Sequence, residues 1–396
     1  MEGPRGPLGS RSVLEKTYEH STTSSLTLDD FDFDYPEDLV AHSPLANRED
    51  SRLLIRDVDG RLSHRRVPDL THELSPGTLL IFNNSRVFPS RLEGHLPSGG
   101  RVEIFLIREL DDGTWLALGR PLRKLMSGKK VHFAGGLEAL VSERGDDYVR
   151  VRFNLSAHDL SKWLDENGYI PLPPYIKRES KNPAAISPDR ERYQTVYAEQ
   201  RGSVAAPTAG LHFTDDLLAK LKASGVDVQF VSLHVGAGTF LPVKTSDISK
   251  HDMHQELYRV PLSTIQALLK ARREGHKVIA VGTTSLRSLE DLYRRASGDL
   301  SSLESLADTW HSTKLFIYPK SVDDVFVPWV IDGLLTNFHQ PKSTLFMLIS
   351  ALIGLEQARS MYQMAFEAQY RLFSYGDASL LWLGKRPNRY NQHPQI

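Results

Sequence analysis

Two histidines between Pro207 and Val243 stand beside small residues that leave main chain bare. His212 follows Thr208-Ala209-Gly210-Leu211, and His234 precedes Val235-Gly236-Ala237-Gly238. Imidazole titrates closest to neutrality of all side chains, so it can take or give a proton at working pH. Glycines next to it let a ligand approach the backbone. HDMHQE, residues 251 to 256, adds His251, His254 and Glu256 at a spacing compatible with a metal ligand set. The preferred reading is that one member acts as a base or holds a substrate hydroxyl, and no metal is assigned.

Two further stretches have the form of a buried strand running into a polar helix start. In KVIAVGTTSLRSLE the strand stops at Gly282, and Thr283, Thr284 and Ser285 open a helix whose free N–H groups suit a phosphate or carboxylate. In LLTNFHQPKSTLFMLIS the strand ends at Asn337, and His339, Lys342, Ser343 and Thr344 fill the turn. Ligands of open α/β sheets collect at such strand ends. No phosphate-binding glycine fingerprint completes either turn, and Gly236-Ala237-Gly238 lacks a third glycine, so a dinucleotide fold is not supported.

The elements that must carry these residues follow two rhythms. From Ser90 to Asn154 come six short alternating runs, SRLEGHL, RVEIFLIREL, TWLALGR, KKVHF, LEALVSER and DYVRVRFN, which predict a small antiparallel barrel. On both sides, apolar strands alternate with helical stretches such as LSTIQALLKARREG, as in a layered α/β architecture. The expected organisation is an α/β core (29–85 and 158–396) interrupted by a barrel at 86–157. MEGPRGPLGS resembles a protease-cleavage remnant of an expression tag, and 1–28 as a whole reads as tag remnant and disordered tail.

At 396 residues, with 40% hydrophobic and 24% charged residues, the chain has a soluble globular composition. The longest apolar run, LFMLISALIG, is about half a bilayer span and predicts a buried helix. Zero cysteine excludes disulfides and thiolate chemistry and fits a reducing cytoplasm. The net charge is −1, yet nine basic face five acidic residues between Asn83 and His132, a local cationic patch.

Taken together, several stretches resemble one family, the S-adenosylmethionine:tRNA ribosyltransferase-isomerases of queuosine biosynthesis: FDFDYPEDLVAHSPLANREDSRLL, FNNSRVFPSRL, GYIPLPPYI, RYQTVYAEQRGSVAAPTAGLHFT, SLHVGAGTFLPV, HDMHQE, VIAVGTTSLRSLE, GLLTNFHQPKSTLFMLISALIG and YRLFSYGDASLL. They run in family order from about residue 31 to 383. Asn84-Ser85 departs from the family's usual Asp-Thr, and Pro319-Lys320 from its proline-glycine turn.

The resemblance implies an α/β domain with an inserted six-stranded barrel. It implies that S-adenosylmethionine is a co-substrate, with no permanently bound cofactor. Its ribosyl group moves to the 7-aminomethyl-7-deazaguanine at the wobble position of tRNA, adenine and methionine leave, and an epoxycyclopentanediol forms. On this reading His212, His234 and His254 form the acid/base set, with Glu256 near a ribose hydroxyl or the sulfonium. Gly210, Gly236, Gly238 and Thr239 permit close approach, Thr283 and Thr284 receive the methionine carboxylate, and Asn337 and His339 read the deazaguanine. Thr208 and Arg287 complete the substrate-binding set. Arg86, Arg91, Arg123, Lys124, Lys129 and Lys130 are the expected tRNA phosphate contacts. Two other readings compete: a metal- or Ser/His-dependent hydrolase of a nucleoside-like substrate, and a non-catalytic RNA-binding protein. Oligomeric state is not legible, with a monomer favoured.

Overall fold

The computed structural model describes residues 26–176, 183–236, 238 and 243–384. Its centre is a nine-stranded mixed sheet. Four neighbouring strands, Asp227–His234, Leu79–Asn83, Val278–Val281 and Gly333–Asn337, run parallel. Leu79–Asn83 and Val278–Val281 are buried at every position, which is why they read as unbroken apolar runs rather than alternating ones. The antiparallel strand Ala378–Trp382 continues the sheet on one side, and Glu256–Arg259 with His311–Thr313 on the other.

Six strands between Arg91 and Phe153 close into an antiparallel barrel, as the alternation predicts. Leu92, Ile104, Leu106, Val131, Val141 and Val151 point inward. Helix Ala157–Asn167 lays Leu160, Trp163 and Leu164 on this interior, and Trp163 Nε1 donates to Ala134 O at 3.0 Å. The apolar run after His339 is the buried helix Thr344–Ile353, capped by Ser343 Oγ and stopped at Gly354, whose φ is 88°. No helix among the described residues is long and apolar enough to cross a membrane.

Residues 1–25, most of the expected tail, lie outside the described residues. Leu26 to Leu28, read above as the tail's end, are part of the fold. Leu26 is buried, Thr27 bridges to Asp247, and Leu28 N donates to Ser246 O at 2.8 Å. Lys342 then clamps this segment, its Nζ 2.8 Å from Asp29 and 3.0 Å from Asp32.

Candidate functional site

The parallel strands deliver Asn83, His234, the Gly282 turn and Asn337 to one edge of the sheet. Beyond Asn337 lies a cavity of about 420 Å³. Its polar lining includes Thr208, His254, Glu256, Arg287, Asn337 and His339, and its walls include Tyr175, Phe316 and Phe373. These residues come from stretches separated by up to about 200 positions, and the sheet's crossovers bring them together.

The charged wall is a buried pair. Glu256 Oε2 accepts from Arg287 Nη1, and Oε1 accepts from Gly236 N at 3.2 Å. Arg287 Nε donates to Leu315 O at 3.0 Å, while its buried Nη2 has no partner. A buried charge held by only part of its hydrogen bonds is the kind of donor that a bound anionic oxygen satisfies. Gly236 serves here through its N–H.

The floor is a relay of neutral groups. Asn337 Nδ2 lies 3.1 Å from Phe373 O and 3.3 Å from His212 Nε2. A carbonyl oxygen can only accept, so the amide nitrogen must point this way. His212 Nε2 is therefore the acceptor, and Nδ1 carries the hydrogen toward Ser51 Oγ at 2.9 Å. Ser51 Oγ in turn donates to Arg48 O at 3.1 Å. Burial, with Arg371 and Arg48 nearby, pushes the His212 pKa down to about 4, which keeps this tautomer uncharged. The remaining Asn337 oxygen is buried and has no partner. His339, whose pKa burial pushes down to about 3, holds Thr336 Oγ1 through Nε2 at 3.0 Å.

Neither His212 nor His234 lines the cavity; His212 is joined to it through Asn337. The His234 ring is stacked on Trp310, with centroids 4.8 Å apart, and burial pushes its pKa down to about 4. A Cβ on Gly202 would lie 2.6 Å from His234 Nε2, so that glycine makes room for the ring. His254 does reach the cavity. Gly238 packs its backbone against that imidazole, and any side chain there would collide with it. His251, edge-on to Phe316, is the cavity's third imidazole beside His254 and His339.

The helix start at Thr283 and Thr284 does not line the cavity, and Thr284 Oγ1 accepts from Asn83 Nδ2 at 3.2 Å. The Thr284 hydroxyl thus anchors the end of strand Leu79–Asn83. Gly210 is bare because the Tyr197 hydroxyl occupies the space a side chain would need. Thr239 lies outside the described residues. Asn84 bridges Ser232 Oγ (2.7 Å) and Glu199 (3.3 Å), a role for an amide that both accepts and donates. His251, His254 and Glu256 do not converge as a ligand set, and among the described residues no three His, Cys, Asp or Glu are grouped to hold a metal ion.

Arg123, Lys124 and Lys129 on the barrel are exposed, as is Arg86 on strand Ser85–Val87, which pairs with Gln200–Ser203 outside the barrel. Arg91 is paired with Glu103 at 2.6 Å and Lys130 with Glu138 at 3.1 Å. Of the residues that sequence reading missed, Ser51, Tyr175 and Phe373 carry no local signal beyond their place inside quoted stretches, and Phe316 lies outside them all.

A family model described as a queuosine biosynthesis protein matches residues 28–381. A protein of Dinoroseobacter shibae named S-adenosylmethionine:tRNA ribosyltransferase-isomerase is 46% identical over 362 residues, covering 89% of this chain and 98% of its own. A protein of the same name from Citrifermentans bemidjiense is 43% identical over 357 residues, covering 89% and 99%. A solved structure of an S-adenosylmethionine tRNA ribosyltransferase from Thermotoga maritima is 31% identical, covers 89% of this chain and 99% of its own, and superposes with a TM-score of 0.47.

Proposed function

We propose that this chain, which belongs to the queuosine biosynthesis protein family, is an S-adenosylmethionine:tRNA ribosyltransferase-isomerase working in the cytoplasm. It moves the ribosyl group of S-adenosylmethionine onto the 7-aminomethyl-7-deazaguanine at the tRNA wobble position and isomerises it to the epoxycyclopentanediol of epoxyqueuosine, with release of adenine and methionine. The positive sulfonium acidifies the adjacent 5′ carbon, so an ordinary side-chain base can begin the sequence.

The observation that carries the reading is the single cavity that joins His254, the Glu256–Arg287 pair, Asn337 and His339. His254 is the proposed base: it lines the cavity and makes no hydrogen bond among the described residues. A well-placed base contributes roughly 10²–10⁴ in rate. Arg287 Nη2 takes the methionine carboxylate in place of Thr283 and Thr284, and Glu256 holds that arginine while keeping negative charge near the sulfonium. Asn337 Oδ1 and His339 face the deazaguanine, and His212 acts by positioning Asn337. The barrel, proposed as an inserted domain over 86–157, offers Arg123, Lys124 and Lys129 to tRNA phosphates alongside Arg86, with Arg91 and Lys130 held back by their carboxylates.

Adenine released from S-adenosylmethionine, measured with and without tRNA carrying the modified base, tests the reading. Release that requires this RNA is expected. Hydrolysis without RNA, or RNA binding without release, would replace it with one of the competing readings.

A further inference from the structure

Behind the Phe316–Ile317 wall lies a second cavity, of about 490 Å³. The two cavities share those two residues as a partition. On the far side the lining is aromatic. Tyr318 stacks on Phe316 with centroids 4.5 Å apart, Trp329 stacks on Tyr293 at 5.4 Å, and Phe326 is half-buried. Two cations stand at this lining, Arg294 and Lys320. The Arg294 guanidinium lies 5.7 Å from the Phe326 ring, and neither cation forms an ion pair among the described residues. The lining's one carboxylate, Asp324, accepts from Lys320 N at 2.8 Å and so closes the loop. Exposed Val325 and Val327 border it.

Arg294 and Arg287 lie on the same helix, Thr283–Arg295. Seven residues put them on one face, about 10 Å apart along the axis, with Arg287 on the first cavity and Arg294 on the second. Aromatic faces flanked by cations are how proteins hold single-stranded RNA, the base on the ring and the phosphate on the charge. Because only the Phe316–Ile317 wall divides the two cavities, a wobble base in the first has its chain neighbours within reach of the second.

We propose that the second cavity receives a nucleotide next to the target base in the anticodon loop. Its base lies on Phe326 and Trp329, and its phosphate meets Arg294 and Lys320. The inference rests on the enzyme reading above and gives it a specificity-determining subsite.

The test uses anticodon stem–loops carrying the modified base, with the nucleotide on either side replaced by an abasic residue. In the wild-type protein, an abasic residue on one flank raises the KM for RNA roughly tenfold, as stacking of a single base allows, with the KM for S-adenosylmethionine unchanged. Phe326→Leu and Arg294→Gln raise the KM for intact RNA, and in Phe326→Leu the same abasic change costs nothing further. A KM indifferent to both flanks, or losses that add in full, overturns the proposal. Wild-type protein that dimerises while Phe326→Leu does not would assign the cavity to a second copy and also overturns it. Adenine release with a flat KM sinks this inference alone, whereas no release with intact modified tRNA sinks the enzyme reading with it.

Discussion

His212 and Asn337 meet nitrogen to nitrogen, Nε2 to Nδ2 at 3.3 Å, although 125 residues separate them. Because the Phe373 carbonyl fixes the amide's direction, the histidine acts as an acceptor, and Asn337 Oδ1 is left buried without a partner. On the proposed reading its place is in orientation rather than proton transfer.

His212→Ala should therefore lower kcat/KM for RNA and destabilise the fold by about 1–3 kcal/mol, the cost of leaving a buried donor unmet. The acidic limb of the pH–rate profile should stay where it is, since a group with a pKa of about 4 is already neutral across the working range. A displaced limb would return His212 to the chemistry.

Gly238→Ala isolates His254. The added methyl collides with the imidazole ring, so kcat for adenine release should fall at least tenfold, toward the roughly 10²–10⁴ that a general base contributes. The unfolding midpoint should barely move, because His254 is exposed at its outer side. Full activity in this variant would remove His254 as the base.

Glu256→Ala strands Arg287 as an uncompensated buried charge, and breaking such a pair typically costs about 3–5 kcal/mol. Replacing both, Glu256→Leu with Arg287→Met, should recover much of that stability while leaving the KM for S-adenosylmethionine raised. Denaturant unfolding of the two variants, with the KM measured alongside, separates the pair's structural part from its ligand contact. An unchanged KM in the double variant would mean that Arg287 does not hold the carboxylate.

Three imidazoles make the fold acid-sensitive. His212 and His234 are held to a pKa of about 4 and His339 to about 3, in each case mainly by burial. In the unfolded chain they titrate near 6.5, so below that pH the unfolded state binds more protons and gains stability relative to the native state. Native stability should hold above about pH 6.5 and fall by roughly 1.4 kcal/mol per unit per histidine toward pH 4. Replacing His339 with Gln should flatten that slope, and an unaltered slope would mean that its ring is not held neutral.

The architecture was legible because its signals are local. Six alternating runs become six barrel strands, and buried apolar runs become the parallel strands. The site was legible only in its parts. Glycines beside His212 and His234 announced bare main chain, yet bareness at Gly210 serves Tyr197, and His234 packs against Gly202. The hydroxyls after Gly282 have the form of an anion site, but Asn83 arrives from another strand end and takes Thr284. The relay from Ser51 through His212 to Asn337 depends on contacts across 161 and 125 positions, which no spacing in a single sequence encodes.

The barrel's cations can be ranked by whether a carboxylate already holds them. Arg91 and Lys130 sit on Glu103 and Glu138, whereas Arg123, Lys124 and Lys129 form no ion pair among the described residues. Each free cation that meets a phosphate releases about one counterion, so log K for tRNA falls with log salt by close to one unit per contact. Arg123→Ala and Lys124→Ala should each shallow that slope by about one and weaken modified and unmodified tRNA alike. Lys130→Ala should leave the slope nearly unchanged, since it removes a charge its neighbour has already neutralised. Equal slopes for all three variants would move the phosphate contacts off the barrel.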